Sequence, residues 1–166
     1  MPKVPVNPPG LPLAGIRVAE FCHVVMGPTC GLVLADLGAE VIKVEPLEGD
    51  HTRKLVASGA GFFPTYNRNR KSFAVDPKAP EGREAVLKLV ASADVLTENF
   101  RPGAMDKLGF GYDALRRLRP ELIYCSMKGF LAGPYEHRTG LDEVVQMMGG
   151  LAYMTGGRFG PLRAGA

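Results

Sequence analysis

Residues 16–45, IRVAEFCHVVMGPTCGLVLADLGAEVIKVE, decide the fold that we predict for this chain. Residues 16–21 and 41–45 are compact runs of β-prone apolar residues, and Pro28 stands between them where a helix begins. The apolar residues that recur at helical spacing are Cys30, Leu34 and Leu37. Two strands joined by a helix are parallel, with a right-handed crossover. The stretch therefore predicts a β-α-β unit, the start of an α/β sheet.

The loop of this unit is the first candidate binding site. In parallel α/β sheets, ligands bind beyond the carboxyl ends of the strands. Here that position holds residues 23–28, HVVMGP, which open onto a helix N-terminus. The N–H groups of a first helical turn can receive an anion or a carbonyl oxygen. His23 is then either a ligand-binding residue or a structural residue at a strand end, and both interpretations remain open.

The remaining sequence continues the alternation of strands and helices. Further strands are predicted over residues 72–76, 94–100 and 122–130, and further helices over 80–93, 104–108, 112–118 and 142–148. The inward-facing residues predicted for the helix after the third strand are Ala85, Val86 and Leu89. Residues 46–71 lack periodicity and are predicted to form a long surface loop with one helical turn. The pattern indicates an α/β fold with a parallel sheet.

Composition limits the classes of function. The chain has 166 residues, 46% hydrophobic and 22% charged, with a net charge of +3, which is typical of a soluble domain and unlike the basic stripe of a nucleic-acid binder. Residues 1–14 form a Pro-rich N-terminal arm and a poor signal peptide, and no apolar run could span a bilayer. Three cysteines at unrelated spacings indicate reduced core thiols, a cytoplasmic location and no metal site. We expect no nucleic-acid or membrane partner.

Donor side chains follow other strand ends. Asn99 and Arg101 fall at the carboxyl end of one predicted strand and Lys128 at that of another, so they share the edge that carries His23; alternatively, Asn and Gly there are only turn formers. Residues 67–71, NRNRK, either bind phosphate or form a solvated loop of charges. No role is predicted for His51 or His137, and the helix dipole accounts for Asp142 and Glu143 at a helix start. Neither a Gly-x-Gly-x-x-Gly nor a Gly-x-Ser-x-Gly motif is present.

Six segments in order carry a family resemblance. They are LAGIRVAEFCHVVMGPTC, LADLGAEVIKVEPLEGDHTR, FPTYNRNRKSFAVD, ADVLTENFRPGAMDKLGFGYDAL, PELIYCSMKGF and DEVVQMMGGLAYMTG. With them the chain resembles the N-terminal part of the family III CoA-transferases, the group of formyl-CoA, carnitine-CoA and bile-acid CoA transferases. The resemblance implies a Rossmann-like sheet with helices on both faces, and makes residues 15–166 an incomplete N-terminal CoA-binding domain.

The resemblance also implies a set of residues that bind coenzyme A or an acyl-CoA. The loop 23–26 would lie against the pantetheine and thioester, residues 73–76 and 99–101 would border the adenine, and Lys107 would reach the phosphates. Residues 139–142 would close over the CoA. With Lys128 from the strand-end argument, the predicted set is His23, Val24, Val25, Met26, Phe73, Val75, Asp76, Asn99, Phe100, Arg101, Lys107, Lys128, Thr139, Gly140, Leu141 and Asp142.

The family's chemistry uses an aspartate that attacks the acyl-CoA thioester, giving a mixed anhydride and then an aspartyl-CoA thioester that the acceptor acid reopens. The resemblance places that aspartate just beyond Ala166, so no catalytic residue is assigned within this chain. Pro46 and Val25 depart from an arginine and a glutamine found in some members. These departures leave the acyl chemistry open.

Two alternatives accompany the transferase hypothesis. The chain could be a CoA-binding fragment without chemistry, or belong to the related α-methylacyl-CoA racemases. The racemases use a His-Asp dipeptide where this chain has Leu141-Asp142, and leucine cannot act as an acid–base group. Family members are longer chains that form interlocked dimers. We therefore expect a truncated piece, inactive alone, whose full-length form is a homodimer acting on an acyl-CoA and a carboxylic acid.

Overall fold

The computed structural model describes residues 10–164, and in this part the chain forms a five-stranded parallel sheet. The strands are β1 (Arg17–Phe21), β2 (Glu40–Glu45), β3 (Lys71–Ala74), β4 (Val95–Glu98) and β5 (Ile123–Ser126). Their order is β3-β2-β1-β4-β5, and each neighbouring pair is parallel. This is the strand order of the doubly wound Rossmann fold. The predicted α/β class is confirmed.

Seven α-helices accompany the strands in the described residues. They are α1 (Met26–Asp36), α2 (Phe62–Tyr66), α3 (Pro80–Ser92), α4 (Ala104–Lys107), α5 (Tyr112–Leu118), α6 (Asp142–Met148) and α7 (Leu151–Gly156). The chain divides into two compact units, one ending at Met127 and containing the sheet, the other beginning at Lys128 and containing α6 and α7. The domain bounds given by the sequence stay a prediction, and the first nine residues of the N-terminal arm lie outside the described part.

Each face of the sheet has its own apolar core. On one face α1 covers a small cluster, Val18, Ala35, Ala39 and Val41. On the other face Val86 and Val90 of α3 join a larger cluster with Phe21, Val44 and Leu96, among others. The alternation of side chains along each strand sends β1 residues to both cores, as a sheet covered on both sides requires. Helices on both faces are confirmed.

The buried face of α1 overlaps only in part with the apolar residues at helical spacing, of which Leu34 packs against the smaller core. Leu37 is 40% exposed, and the residues that are buried instead are Gly27, Pro28, Gly31, Leu32 and Ala35. Three of these are small residues four apart along the helix, so one narrow side of α1 lies close to the sheet. The spacing of large apolar residues could not predict this contact, because it is made by small residues. In α3 the inward residues include Val90, which the pattern missed, beside the predicted Val86.

The segment between β2 and β3 is more ordered than predicted. It contains the 3₁₀ helices His51–Lys54 and Ala57–Gly59 as well as α2, so the prediction of a single helical turn was wrong. The Asp50 side chain accepts a hydrogen bond from the Thr52 N–H (2.8 Å) and so caps the first of these helices. A local side-chain cap of this kind needs no apolar periodicity. The last predicted strand is also shorter, because β5 ends at Ser126.

Candidate functional site

The carboxyl ends of β1 and β4 form the switch point of the sheet, where the chain leaves neighbouring strands in opposite directions. Asn99, directly after β4, bridges this point. Its Oδ1 accepts a hydrogen bond from the His23 N–H (2.9 Å), and its Nδ2 donates one to the His23 carbonyl oxygen (2.9 Å). One amide side chain thus fixes both backbone groups of the residue at the centre of the β1–α1 loop. The structure brings together the predicted residues His23 and Asn99.

Val24 lies in the left-handed backbone region, with φ of 65°. For a β-branched residue this conformation is an outlier that costs on the order of 1–3 kcal/mol. Such strain persists only where the surroundings fix the backbone, and it concentrates at binding sites and active sites. The strained residue is therefore an independent sign, besides topology, that this loop is functional.

The His23 imidazole is half-buried between two other rings. Its centroid lies 5.4 Å from that of Phe100 and 5.7 Å from that of His51. Burial lowers the pKa of His23 from its usual 6.5, and the nearby His51 lowers it further. The Nδ1 atom is buried without a hydrogen-bond partner among the described residues. His23 therefore presents a neutral ring at pH 7, and His51, to which the sequence assigned no role, packs beside it.

Gly27 lets the first turn of α1 approach the end of β1. A Cβ atom at this position would lie 2.6 Å from the Cβ atom of Cys22 and 2.9 Å from Cγ of Asn99. The first helical hydrogen bond runs from the Thr29 N–H to the Val25 carbonyl (2.8 Å), so earlier N–H groups have no partner within the helix. Met26 is 51% exposed at the same turn. These features place helix-start N–H groups beside the clamped His23.

Charged side chains lie buried beneath this edge, which the sequence analysis missed. Lys43 of β2 pairs with Asp50 (Nζ to Oδ2, 2.7 Å) and donates a hydrogen bond to the carbonyl oxygen of Cys22. Glu45, also in β2, pairs with Arg53 (2.6 Å). The signal was present in the sequence, because charged residues alternate with valines inside the VIKVE run. Alternation within a strand places those charges on one face, under α1 and its loop.

The pKa values of these carboxyl groups follow from competing effects. Burial alone would raise the pKa of Glu45, but hydrogen bonds from Arg53, Ser72 and the Asp50 backbone outweigh it and lower the pKa to about 2. Burial likewise opposes the hydrogen bonds that Asp50 receives, and the balance lowers its pKa. For Glu20 burial prevails and the pKa is raised. Glu45 and Asp50 are therefore firmly anionic at pH 7.

The basic cluster at residues 67–71 combines one buried arginine with exposed polar and charged residues. Arg70 has a side chain only 2% exposed, and it binds the Glu20 carboxylate (2.7 Å to Oε1) and two backbone carbonyls. Arg68 pairs with Asp36 (3.1 Å), and Lys71 pairs with Glu40 (2.7 Å). Burial excludes Arg70 from a phosphate site, whereas Arg68 and Lys71 are exposed, and phosphate binding by them stays a prediction.

Other predicted residues of the first unit differ in exposure. Val75 packs in the larger core, and its N–H donates to the Glu45 carbonyl (3.0 Å). Arg101 and Lys107 are exposed, and both follow β4 in the chain. The predicted residues not yet described are half-buried or exposed: Val25, Phe73 and Asp76. Their contact with CoA stays a prediction.

The second unit holds the remaining predicted residues, Lys128, Thr139, Gly140, Leu141 and Asp142. Here the backbones of Gly129 and Gly140 meet, and a Cβ atom at Gly129 would lie 2.5 Å from the Cα atom of Gly140. The contact closes the loop between them at its base. Asp142 starts α6 and accepts hydrogen bonds from Gln146 (2.8 Å) and Arg163 (3.1 Å). These partners agree with a structural helix-start role.

Within residues 10–164 no helix has the length and apolarity that a membrane span requires, and no group of three His, Cys, Asp or Glu side chains is arranged to hold a metal ion.

The fold is Rossmann-like, and comparisons with known proteins identify the family of the chain. The model of CoA-transferase family III matches residues 13–166. A formyl-CoA:oxalate CoA-transferase of Rhodopseudomonas palustris (strain HaA2) is 44% identical over 154 residues, and an acyl-CoA transferase of Fusarium pseudograminearum is 41% identical over 168. These matches cover 90% and 92% of the chain, respectively. The chain belongs to CoA-transferase family III.

Solved structures agree with this assignment. A CAIB/BAIF family protein from Brucella suis superimposes with a TM-score of 0.86 at 44% sequence identity, covering 93% of this chain and 44% of that one. The chain is shorter than its relatives, and it spans only 36% and 37% of the lengths of the two transferases above.

Proposed function

We propose that this chain supplies the CoA-binding part of an enzyme that moves CoA from an acyl-CoA to a carboxylic acid. The observation that carries the proposal is the Asn99 clamp on His23 at the switch point, because it fixes a strained loop where Rossmann-like sheets bind ligands. Membership of CoA-transferase family III and the two transferases among its relatives support the choice of ligand.

The proposed division of the site follows the chemistry of CoA. The amide-rich pantetheine and the thioester lie against residues 23–26, where the neutral His23 ring and the helix-start N–H groups offer hydrogen bonds. Phe100 and residues 73–76 border the adenine. Arg101 lies with Phe100 at the adenine, and the exposed Lys107 reaches the phosphates, for which an ammonium group is a usual partner.

The proposed reaction is covalent catalysis through an aspartyl intermediate. An aspartate attacks the thioester carbonyl and expels the CoA thiolate, leaving a mixed anhydride; the thiolate then attacks the aspartyl carbonyl, and the acyl carboxylate leaves. The acceptor acid reverses these steps to take up CoA. Splitting the exchange in this way lowers each barrier. We expect the nucleophile beyond Ala166, so that turnover needs residues outside this chain, together with a cytoplasmic homodimer at full length.

Two alternative functions can be distinguished from the transferase by experiment. A non-catalytic CoA-binding protein would bind at the same edge, whereas a racemase would need an acid–base group at Leu141 that leucine cannot provide. Exchange of an α-proton with solvent deuterium by the full-length protein would favour the racemase. Transfer of CoA to an added carboxylate without such exchange would favour the transferase.

The binding edge is tested by adding CoA to the purified chain and following the histidine ring signals by NMR. We expect the His23 signals to shift with saturation, because the ring borders the thioester end of the proposed site. The His137 signals are followed in the same spectra; His137 lies in the other unit, has a side chain 88% exposed and stands two residues before Thr139, itself a predicted CoA-binding residue. Shifts at His137 with none at His23 would refute the assignment.

A further inference from the structure

Lys43 is a buried cation to which the reaction gives no task. It lies in the middle of β2 and is only 1% exposed. An ammonium group at such a position is tolerated only when it is paired and hydrogen-bonded. Its Nζ atom binds Asp50 Oδ2 (2.7 Å) and the carbonyl oxygen of Cys22. Through the second contact, a charge within β2 reaches the residue at the end of β1.

Asp50 is itself held rigidly. Its other carboxylate oxygen, Oδ1, accepts hydrogen bonds from the Thr52 N–H (2.8 Å) and the Thr52 hydroxyl (2.7 Å). Its backbone N–H donates to Glu45 Oε2 (2.7 Å). These bonds tie Asp50 to β2 and to the start of the 3₁₀ helix that follows it. The ammonium group therefore meets a fixed partner, which directs its remaining hydrogen bond to Cys22.

Two consecutive residues of the β1–α1 loop are thus constrained from two directions. The Cys22 carbonyl receives the Lys43 bond, and both backbone groups of His23 are bonded to Asn99. Val24, next in the chain, has the left-handed φ of 65°. A β-branched residue leaves this region unless its neighbours hold it there. Loss of the Lys43 bond or of the Asn99 bonds should release Val24 to an extended conformation and change the path of the loop backbone.

We propose that Lys43, oriented by Asp50, is a positioning residue that holds residues 22–24 in the conformation that binds CoA. The part of this inference that concerns CoA rests on the proposed function. Lys43 acts through the Cys22 carbonyl and, being buried, does not touch the ligand. The role predicts that the loop, rather than the sheet as a whole, depends on the lysine.

The first test is CoA affinity in a set of variants. The double variant Lys43→Met/Asp50→Asn removes the cation without leaving a buried unpaired charge, and we expect it to raise the CoA dissociation constant about tenfold, or about 1.4 kcal/mol. Adding Val24→Gly should restore most of the affinity, measured against the Val24→Gly single variant so that loss of the valine side chain is accounted for, because glycine takes a positive φ without strain. Val90→Ala, which opens the core behind the other face, is the destabilised control and should bind as the parent does.

A second test needs no ligand. Amide hydrogen exchange of residues 23–26 in the free chain should become faster in the double variant, while exchange in β1 and β4 stays unchanged. Thr52→Ala alone keeps the ion pair and removes only the hydroxyl bond that orients Asp50, so it should give the same change in milder form, and it serves if the double variant does not fold. Should the parent chain fail to bind CoA, the proposed function falls while the exchange data still decide the role of Lys43.

Two results would overturn the inference. One is uniform acceleration of exchange over the whole sheet in the double variant, because it would make the ion pair a general stabiliser. The other is failure of Val24→Gly to restore affinity in a variant that has lost it, because the strained residue would then not be what Lys43 holds.

Discussion

Replacing Gly31 with alanine should destabilise the chain, although helix propensity alone predicts the opposite. Gly31 lies inside α1, and an exposed helical glycine changed to alanine typically gains about 1 kcal/mol. Here the new Cβ atom would lie 2.5 Å from Glu20 Oε1 and 3.1 Å from a terminal nitrogen of Arg70. The methyl group would therefore meet a buried ion pair and not solvent.

The magnitude follows from how little that ion pair can move. Glu20 is fully buried, and the Arg70 side chain is 2% exposed and also bound to the carbonyls of Pro28 and Tyr66. Overpacking costs about 1–3 kcal/mol, and breaking a buried pair costs about 3–5 kcal/mol. Distortion without full rupture costs about 3 kcal/mol, so after the propensity gain the net loss is about 2 kcal/mol.

Urea unfolding measures this loss as a lower midpoint at an unchanged slope. In a thermal scan the same loss lowers Tm by about 4–8 °C for a chain of this size. Val33→Ala is the control in the same helix, because Val33 is 52% exposed and alanine there improves propensity without new contacts. A Gly31→Ala variant as stable as the parent would show that the helix can move off the sheet, contrary to this reasoning.

Three further predictions concern ionisable groups. The Glu45 carboxyl group, with its pKa lowered from 4.5 to about 2, adds stability above pH 4.5 that is lost as the pH falls towards 2. In urea unfolding at pH 7, Glu45→Gln should be less stable than the parent by about 3 kcal/mol, and this difference should shrink between pH 4.5 and pH 2. A difference that does not change with pH would contradict the prediction. Because the pKa of His23 is lowered in the folded chain, the unfolded chain binds a proton at this ring more readily, and the free energy of unfolding should decrease as the pH falls below 6.5. His23→Gln should lose this part of the pH dependence. An identical pH dependence in the variant would count against the prediction. Burial raises the pKa of the Cys22 thiol, so iodoacetamide should label Cys22 in the native chain more slowly than the half-buried Cys125. Mass spectrometry measures the two labelling rates, and the reverse order would be incompatible with the structure.

The sheet could be predicted because its signals are local. Apolar runs such as IRVAEF, with a helix between two of them, force parallel strands, and parallel strands bring their loops to one edge. That reasoning placed His23 and Asn99 at the same edge before any distance was known. It could not supply the two hydrogen bonds between them, because these depend on the register of β1 against β4.

The partners of the buried charges beneath the edge could not be predicted, although the alternation of charged residues with valines in VIKVE indicates that Lys43 and Glu45 share one face of β2. Lys43 and Asp50 are seven positions apart and become partners only when the chain turns back over β2. Arg70 and Glu20 are fifty positions apart, and their pairing excludes Arg70 from the predicted phosphate cluster. Non-local pairing of this kind leaves no periodicity to detect. The small-residue face of α1 escaped for a related reason, since glycine contributes nothing to an apolar pattern.

The most direct test of the CoA-binding edge is a calorimetric titration of CoA into the purified chain and into its Asn99→Ala variant. We predict binding near micromolar for the parent, about −8 kcal/mol, and about tenfold weaker binding when the clamp on His23 is removed. Val90→Ala again controls for lost stability. A folded parent chain that takes up no CoA, or an Asn99→Ala variant that binds as tightly as the parent, would contradict the account.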